Sequence, residues 1–125
     1  MENLDLKCAE LGKRLAEIND VDEALLRDAL AVLEEQGVYA YFLFLGTRGR
    51  REQRPAEAIC DASTEFLQKT PTGSPLLGKG DLWQELQKLG KDLDKLLFAR
   101  DLLRQALVYG RYHAKARQPA GRGTP

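Results

Sequence analysis

Val38–Leu45, VYAYFLFL, is the segment on which the fold turns. It is the longest uninterrupted apolar run in the chain, eight residues, and its aromatics would suit a β-strand. Nothing else in the sequence offers a strand partner, and an isolated strand leaves its backbone N–H and C=O groups unpaired. The segment therefore reads as a short buried helix. With that choice made, every flanking segment is read with helical periodicity.

Upstream, Leu4, Cys8, Leu11, Leu15 and Ile18 recur at spacings of four and three, the pattern of an amphipathic helix. Asn19 and Asp20 interrupt it, and Asp20 with Glu23 is expected to form the cap and acidic first turn of a second helix. That helix buries Leu26, Ala29, Leu30 and Leu33 and runs to about Gln36. Gly37 follows it, suited to a left-handed C-terminal position. Downstream, residues 47–54, TRGRREQR, read as a basic loop marked by Gly46 and Gly49. Pro55 then falls where a first helical turn tolerates proline, and Ile59, Cys60, Ala62, Ser63, Phe66 and Leu67 continue a helix to about Lys69. Residues 70–80, TPTGSPLLGKG, are dense in Gly and Pro and read as a loop. Asp81 caps the next helix, in which Leu82, Leu86, Leu89, Leu93 and Leu96 alternate at four and three. Gly90 need not break that helix, so it is expected to run straight into the last one, which ends near Arg117. The expected architecture is an all-α, single-domain bundle of five or six helices with a long C-terminal helix, spanning residues 1–117. A disordered tail, residues 118–125, would follow.

With 125 residues and 43% hydrophobic content the chain is long enough to bury a real core. No apolar run approaches the length that spans a membrane, and the acidic start MENLDLKCAE lacks the features of a signal peptide. Cys8 and Cys60 both fall among apolar helix positions and read as buried free thiols, which fits a reducing cytoplasm. No Cys and His cluster has zinc spacing, and nothing calls for a cofactor.

The net charge is zero, yet the signs are segregated. Residues 1–36 carry four basic and ten acidic side chains, and residues 98–125 carry six and one. Such a distribution fits polar assembly, an acidic side meeting one neighbour and a basic side another; the plainer alternative is attraction between acidic and basic helices within one monomer. On the last helix Arg100, Arg104, Arg111 and Lys115 fall within roughly 60° of one another at about 100° per residue. Ala99, Leu103, Ala106 and Gly110 lie on another side, with Leu102 and His113 beside them and Leu107 at the border. Four cations in line with no acid among them fit an anionic partner. Arg48, Arg50, Arg51 and Arg54 form a second cluster. Arginine outnumbers lysine seven to one across the two, and guanidinium groups pair bidentately with phosphate. Tyr109 and Tyr112 flank the stripe and could stack on bases, although Tyr109 reads equally well as core.

Catalytic signals are close to absent. His113, the sole histidine, flanks an apolar face and reads as an interfacial residue. The carboxylate pairs Asp81/Glu85 and Asp92/Asp94 are explained by a cap with a first-turn acid and by a solvated face. GTRGR lacks the lysine and hydroxyl residue of a phosphate-binding loop. The chain is therefore expected not to be an enzyme and to have no small-molecule substrate.

Two stretches carry a family resemblance. VLEEQGVYAYFLFLGTRG, Val32–Gly49, has a helix ending in Gly followed by an apolar helix ending Phe-Leu. LLFARDLLRQALVYGRYHAKA, Leu96–Ala116, has an Arg, an Ala-Leu pair, an aromatic and a terminal basic-alanine stretch at helical spacing. In these the chain resembles the small, all-helical subunit of type III CRISPR effector complexes, often called the Cmr-type small subunit, over roughly residues 20–117. The resemblance implies a non-catalytic subunit of an RNA-guided antiviral complex, stacked head to tail with further copies of itself beside the complex's backbone subunits. It also implies that a basic face contacts the guide RNA–target duplex, base pairing supplying specificity. Arg100, Arg104, Arg111 and Lys115 would be the nucleic-acid-binding positions; Arg48, Arg50, Arg51 and Arg54 are added from charge alone. The acidic N-terminal helix has no counterpart in the motifs that carry the resemblance. The competing expectation is a helical protein–protein adaptor that self-associates through acidic and basic faces without binding nucleic acid. A major-groove regulator fits less well, because no compact helix-turn-helix pair with a polar recognition helix is present.

Overall fold

The computed structural model describes residues 2–117, and the expected disordered tail, residues 118–125, lies outside the described residues. Six helices follow in order: α1 Leu4–Glu17, α2 Glu23–Gln36, α3 Val38–Gly46, α4 Arg50–Lys69, α5 Leu82–Gly90 and α6 Leu93–Arg117. No strand occurs among the described residues, and none of the helices is long and apolar enough to cross a membrane. The all-α bundle with a long C-terminal helix is what the periodicities require.

VYAYFLFL is helical. Gly37 at φ 100° separates it from α2, donating its N–H to the Leu33 carbonyl at 3.0 Å. The turn lets α3 fold back on α2, and Val38, Tyr41, Phe42 and Leu45 are buried. The Tyr41 hydroxyl lies 2.8 Å from Ser63 Oγ on α4, so the deepest polar groups satisfy each other.

α6 is the organising helix. Its most extensive partner is α1, followed by α2, with α5 packed near its start. The α1–α6 crossing depends on small residues: Gly12, Ala106 and Gly110 meet with almost no side chain between the backbones. The acidic N-terminal helix, which has no counterpart in the motifs quoted above, is thus an integral half of the core.

Three local expectations are corrected. Asp22, not Asp20, caps α2, its Oδ1 accepting the Leu25 N–H at 2.8 Å; Asp20 instead takes the left-handed turn position at φ 68°, which a short polar side chain tolerates. The basic segment 47–54 is not a loop, since α4 begins at Arg50 and only Thr47–Gly49 lie outside helices. Pro55 therefore sits in the second turn, where its missing N–H costs one backbone bond near the helix start rather than one in the middle. Finally, α5 and α6 are separate. The chain turns over Lys91 and Asp92, and Asp92 starts α6 by accepting the Lys95 N–H on Oδ1 at 3.2 Å. The break rotates Leu93 out of the core, leaving it 65% exposed.

The Gly/Pro-rich segment 70–80 is a loop, as read, and it tucks Leu76 and Leu77 into the core. Asp81 caps α5 through the Gln84 N–H, while Glu85 accepts the Gly78 N–H at 2.9 Å. That bond, the neighbouring Lys88 aiding it, holds the Glu85 carboxyl below the usual carboxylate range. Both carboxylates have structural partners. Cys8 and Cys60 are free; Cys8 is buried and donates to the Leu102 carbonyl, whereas Cys60 is half-buried.

Candidate nucleic-acid interface

The outer side of α6 carries the predicted stripe, because Ala99, Leu102, Leu103, Ala106, Leu107, Gly110 and Ala114 turn inward. At 1.5 Å per residue the row from Arg100 to Lys115 is about 22 Å long. Its members do not all face solvent free. Arg111 is tied to α2: its Nε donates to Glu23 Oε2 at 2.7 Å, Nη2 lies 2.7 Å from the same oxygen in an ion pair, and Glu23 also approaches Arg27. With side chains 31% and 13% exposed, this pair is half-buried, and it joins residues 88 apart in the sequence. Arg111 is therefore a structural cation. Arg100, Arg104 and Lys115 form no ion pair or hydrogen bond through their side chains among the described residues, and they are the available part of the stripe.

The second cluster divides the same way. Arg48 lies with Cζ 3.8 Å from the Phe44 ring centroid, donates Nε–H to the Phe44 carbonyl at 3.0 Å, and approaches Glu52 at 3.9 Å. It closes the C-terminus of α3 and covers an aromatic face. Arg50, Arg51 and Arg54 are exposed on the first turns of α4 and form no side-chain ion pair among the described residues. The same row continues into Glu57 and Asp61, so this patch is short. α4 packs on α3 and α1 and has no extensive contact with α6. The two clusters therefore stand on separate elements rather than in one continuous row.

The two tyrosines separate clearly. The Tyr109 hydroxyl donates to Asp5 on α1, 2.9 Å from Oδ1, and its ring packs on the core, so Tyr109 links two helices. The bond to Asp5 raises its phenol above the ordinary value. Tyr112 is 68% exposed and lines, with Val108, Arg111 and Lys115, a small cleft of about 100 Å³. His113 is half-buried on α6 and forms no hydrogen bond through its ring among the described residues. No group of three or more His, Cys, Asp or Glu among the described residues is arranged to hold a metal.

Two features escaped the sequence reading. The Glu23–Arg111 pair was invisible because only the packing of α2 on α6 brings those residues together. Leu93 and Leu97, 65% and 38% exposed, fall on the same angular row as the free cations and extend it with an apolar end. Once the α5–α6 break is known, the spacing Leu93, Leu97, Arg100, Arg104 shows this directly.

The chain matches no family model, and no curated protein or solved structure is significantly similar to it.

Proposed function

We propose that the chain is a non-catalytic helical subunit of an RNA-guided complex of the type III CRISPR kind, of the Cmr-type small-subunit family, laying the outer face of α6 along a nucleic-acid backbone. The observation that carries this reading is the row Arg100, Arg104 and Lys115, three side chains without an ionic partner on one side of one helix. Unpaired cations in line gain most from a polyanion, whose phosphates recur along the row and whose condensed counterions are released on contact. The guide RNA–target duplex, the complex's backbone subunits and further copies of the chain are the partners this reading assigns. The motif order Val32–Gly49 and Leu96–Ala116 supports it.

The test is titration of the isolated protein with a short single-stranded RNA at several salt concentrations. Three phosphate contacts give a log–log slope of about −2. Replacing Arg100, Arg104 and Lys115 by Ala is expected to flatten that slope while leaving the helical circular dichroism unchanged; an unaltered slope removes the assignment.

A second reading, an adaptor that self-associates through its charged faces, is favoured by Leu93 and Leu97, which a phosphate backbone would leave in water. Sedimentation at low and high salt separates the two: salt-sensitive self-association without RNA affinity supports the adaptor.

A further inference from the structure

We propose that Tyr112 is a stacking platform for an unpaired base, so that the C-terminal half of the α6 face takes single-stranded rather than paired nucleic acid. The inference rests on the nucleic-acid reading of α6, and for the C-terminal half of that face it replaces the guide RNA–target duplex by an unpaired strand. Tyr112 is 68% exposed and has no hydrogen-bond or ring partner among the described residues. Tyr109, on the same helix, shows the alternative fate of a tyrosine here, its ring against the core and its hydroxyl on Asp5. The fold thus fixes one ring and leaves the other open.

The surroundings of Tyr112 suit a nucleotide. Val108, one turn earlier, gives an apolar flank to the cleft, and Arg111 is held beside it by Glu23. Lys115 lies three residues on, which on a helix surface places its Cβ roughly 5–6 Å from that of Tyr112. A base resting on the phenol ring would have its phosphate within reach of the free Lys115 ammonium. Arg104 lies about 12 Å back along the axis, free to hold a neighbouring phosphate of the same strand. Stacking uses the π-face that every base has, so no sequence preference follows. In a duplex that face is already covered by neighbouring pairs, so a paired strand can use the cations but not the ring.

The experiment compares a fluorescently labelled 12-nucleotide RNA with the same strand in a duplex, using the full chain and its Tyr112→Ala and Tyr112→Phe variants. The expected result is tighter binding of the single strand by the wild type. Tyr112→Ala should lose about tenfold on the single strand with its duplex affinity and salt slope unchanged, and Tyr112→Phe should retain wild-type affinity. Tyr112→Ala binding the single strand like the wild type overturns the inference, as does equal wild-type affinity for strand and duplex. Loss with Tyr112→Phe as large as with Tyr112→Ala also overturns it, since it assigns the effect to the hydroxyl. Those outcomes leave the cationic row standing. A wild type with no salt-dependent binding removes the row and the stacking platform together. Helical circular dichroism of each variant checks that the fold is intact, as expected for a side chain that lies outside the core.

Discussion

A Cβ placed on Gly12 would lie 2.6 Å from the Ala106 carbonyl oxygen, 2.7 Å from the Gly110 nitrogen and 2.7 Å from the Tyr109 Cβ. Two of those atoms are backbone, so relief requires α1 and α6 to separate. Gly12→Ala is expected to destabilise the fold by about 2 kcal/mol despite the better helix propensity of alanine, lowering the thermal midpoint by roughly 8 °C. A scanning-calorimetry midpoint equal to the wild type would show that the crossing yields. Position 12 looks like an unremarkable helix residue in the sequence, because its constraint comes from a helix more than ninety residues away. The stripe poses the same problem at Arg111. Arg104 and Arg111 are alike in spacing and residue type, yet Arg111 bonds Glu23 at 2.7 Å while Arg104 stands free. Arg111→Ala should therefore cost about 1 kcal/mol of stability, discounted for partial exposure, and change the RNA salt slope little. Arg104→Ala should leave stability within about 0.5 kcal/mol and reduce the slope by roughly 0.7. Measuring both quantities on both variants decides the division; identical behaviour would mean the ion pair does not set the roles.

At the scale of elements, the start of α4 works against itself. Gly49 provides no side-chain cap, and Arg50 and Arg51 place two cations at the positive end of the helix dipole, with Glu52 the one acid in the first turn. A helix selected for its own stability would carry Asp or Glu there. Arg51→Glu is expected to raise the thermal midpoint by about 2 °C through the dipole while weakening nucleic-acid binding if this patch contributes to it. A higher midpoint with undiminished affinity would assign binding to α6 alone. This segment also shows what the sequence could convey. The helices came through period by period: α1 from Leu4, Cys8, Leu11 and Leu15, and α3 from the lack of any strand partner for VYAYFLFL. Boundaries depended on polar residues with several possible partners, so Asp20 was read as the cap that Asp22 provides. The Asp92 break was missed because Leu82–Leu96 keeps its four-three spacing across it. The free cations Arg100, Arg104 and Lys115 were legible as a row, but their freedom was not, since that depends on which acids the tertiary packing brings close.

For the whole molecule, the segregation of charge along the sequence is partly closed on folding. Glu23 meets Arg111, an ion pair between the acidic first segment and the basic last one, whereas the Tyr109 hydroxyl on Asp5 is a hydrogen bond from a neutral phenol and Arg14 with Glu65 pairs a cation of the acidic segment. The Glu23–Arg111 pair satisfies one cation of the stripe within the monomer, while Arg100, Arg104 and Lys115 have no ionic partner among the described residues. What holds the bundle against global unfolding is its apolar interior, and that interior contains groups whose protonation reports on it. Burial, aided by the nearby Asp5 carboxylate, pushes the Cys8 thiol from an ordinary 9.0 up to about 11. Burial likewise raises the Cys60 thiol and, more strongly, the Tyr41 phenol. Up to about pH 8.5 these groups keep most of their protons in both the folded and unfolded chains, so they add little pH dependence there. As pH rises past 9 the unfolded chain releases the Cys8 proton while the native chain keeps it, and stability falls until the native thiol also ionises near 11. Urea midpoints should therefore be level from about pH 7 to 8.5 and decline between 9 and 11. Lysine deprotonation also begins in that range, so the comparison that isolates the thiol is Cys8→Ala. That variant starts less stable because it leaves a small cavity, but its decline between pH 9 and 11 should be shallower. Parallel curves for the two proteins would place the alkaline loss elsewhere. Alkylation gives an independent reading: at pH 8 the native Cys8 should react far more slowly than in urea, because the thiolate is the reactive form and the fold suppresses it.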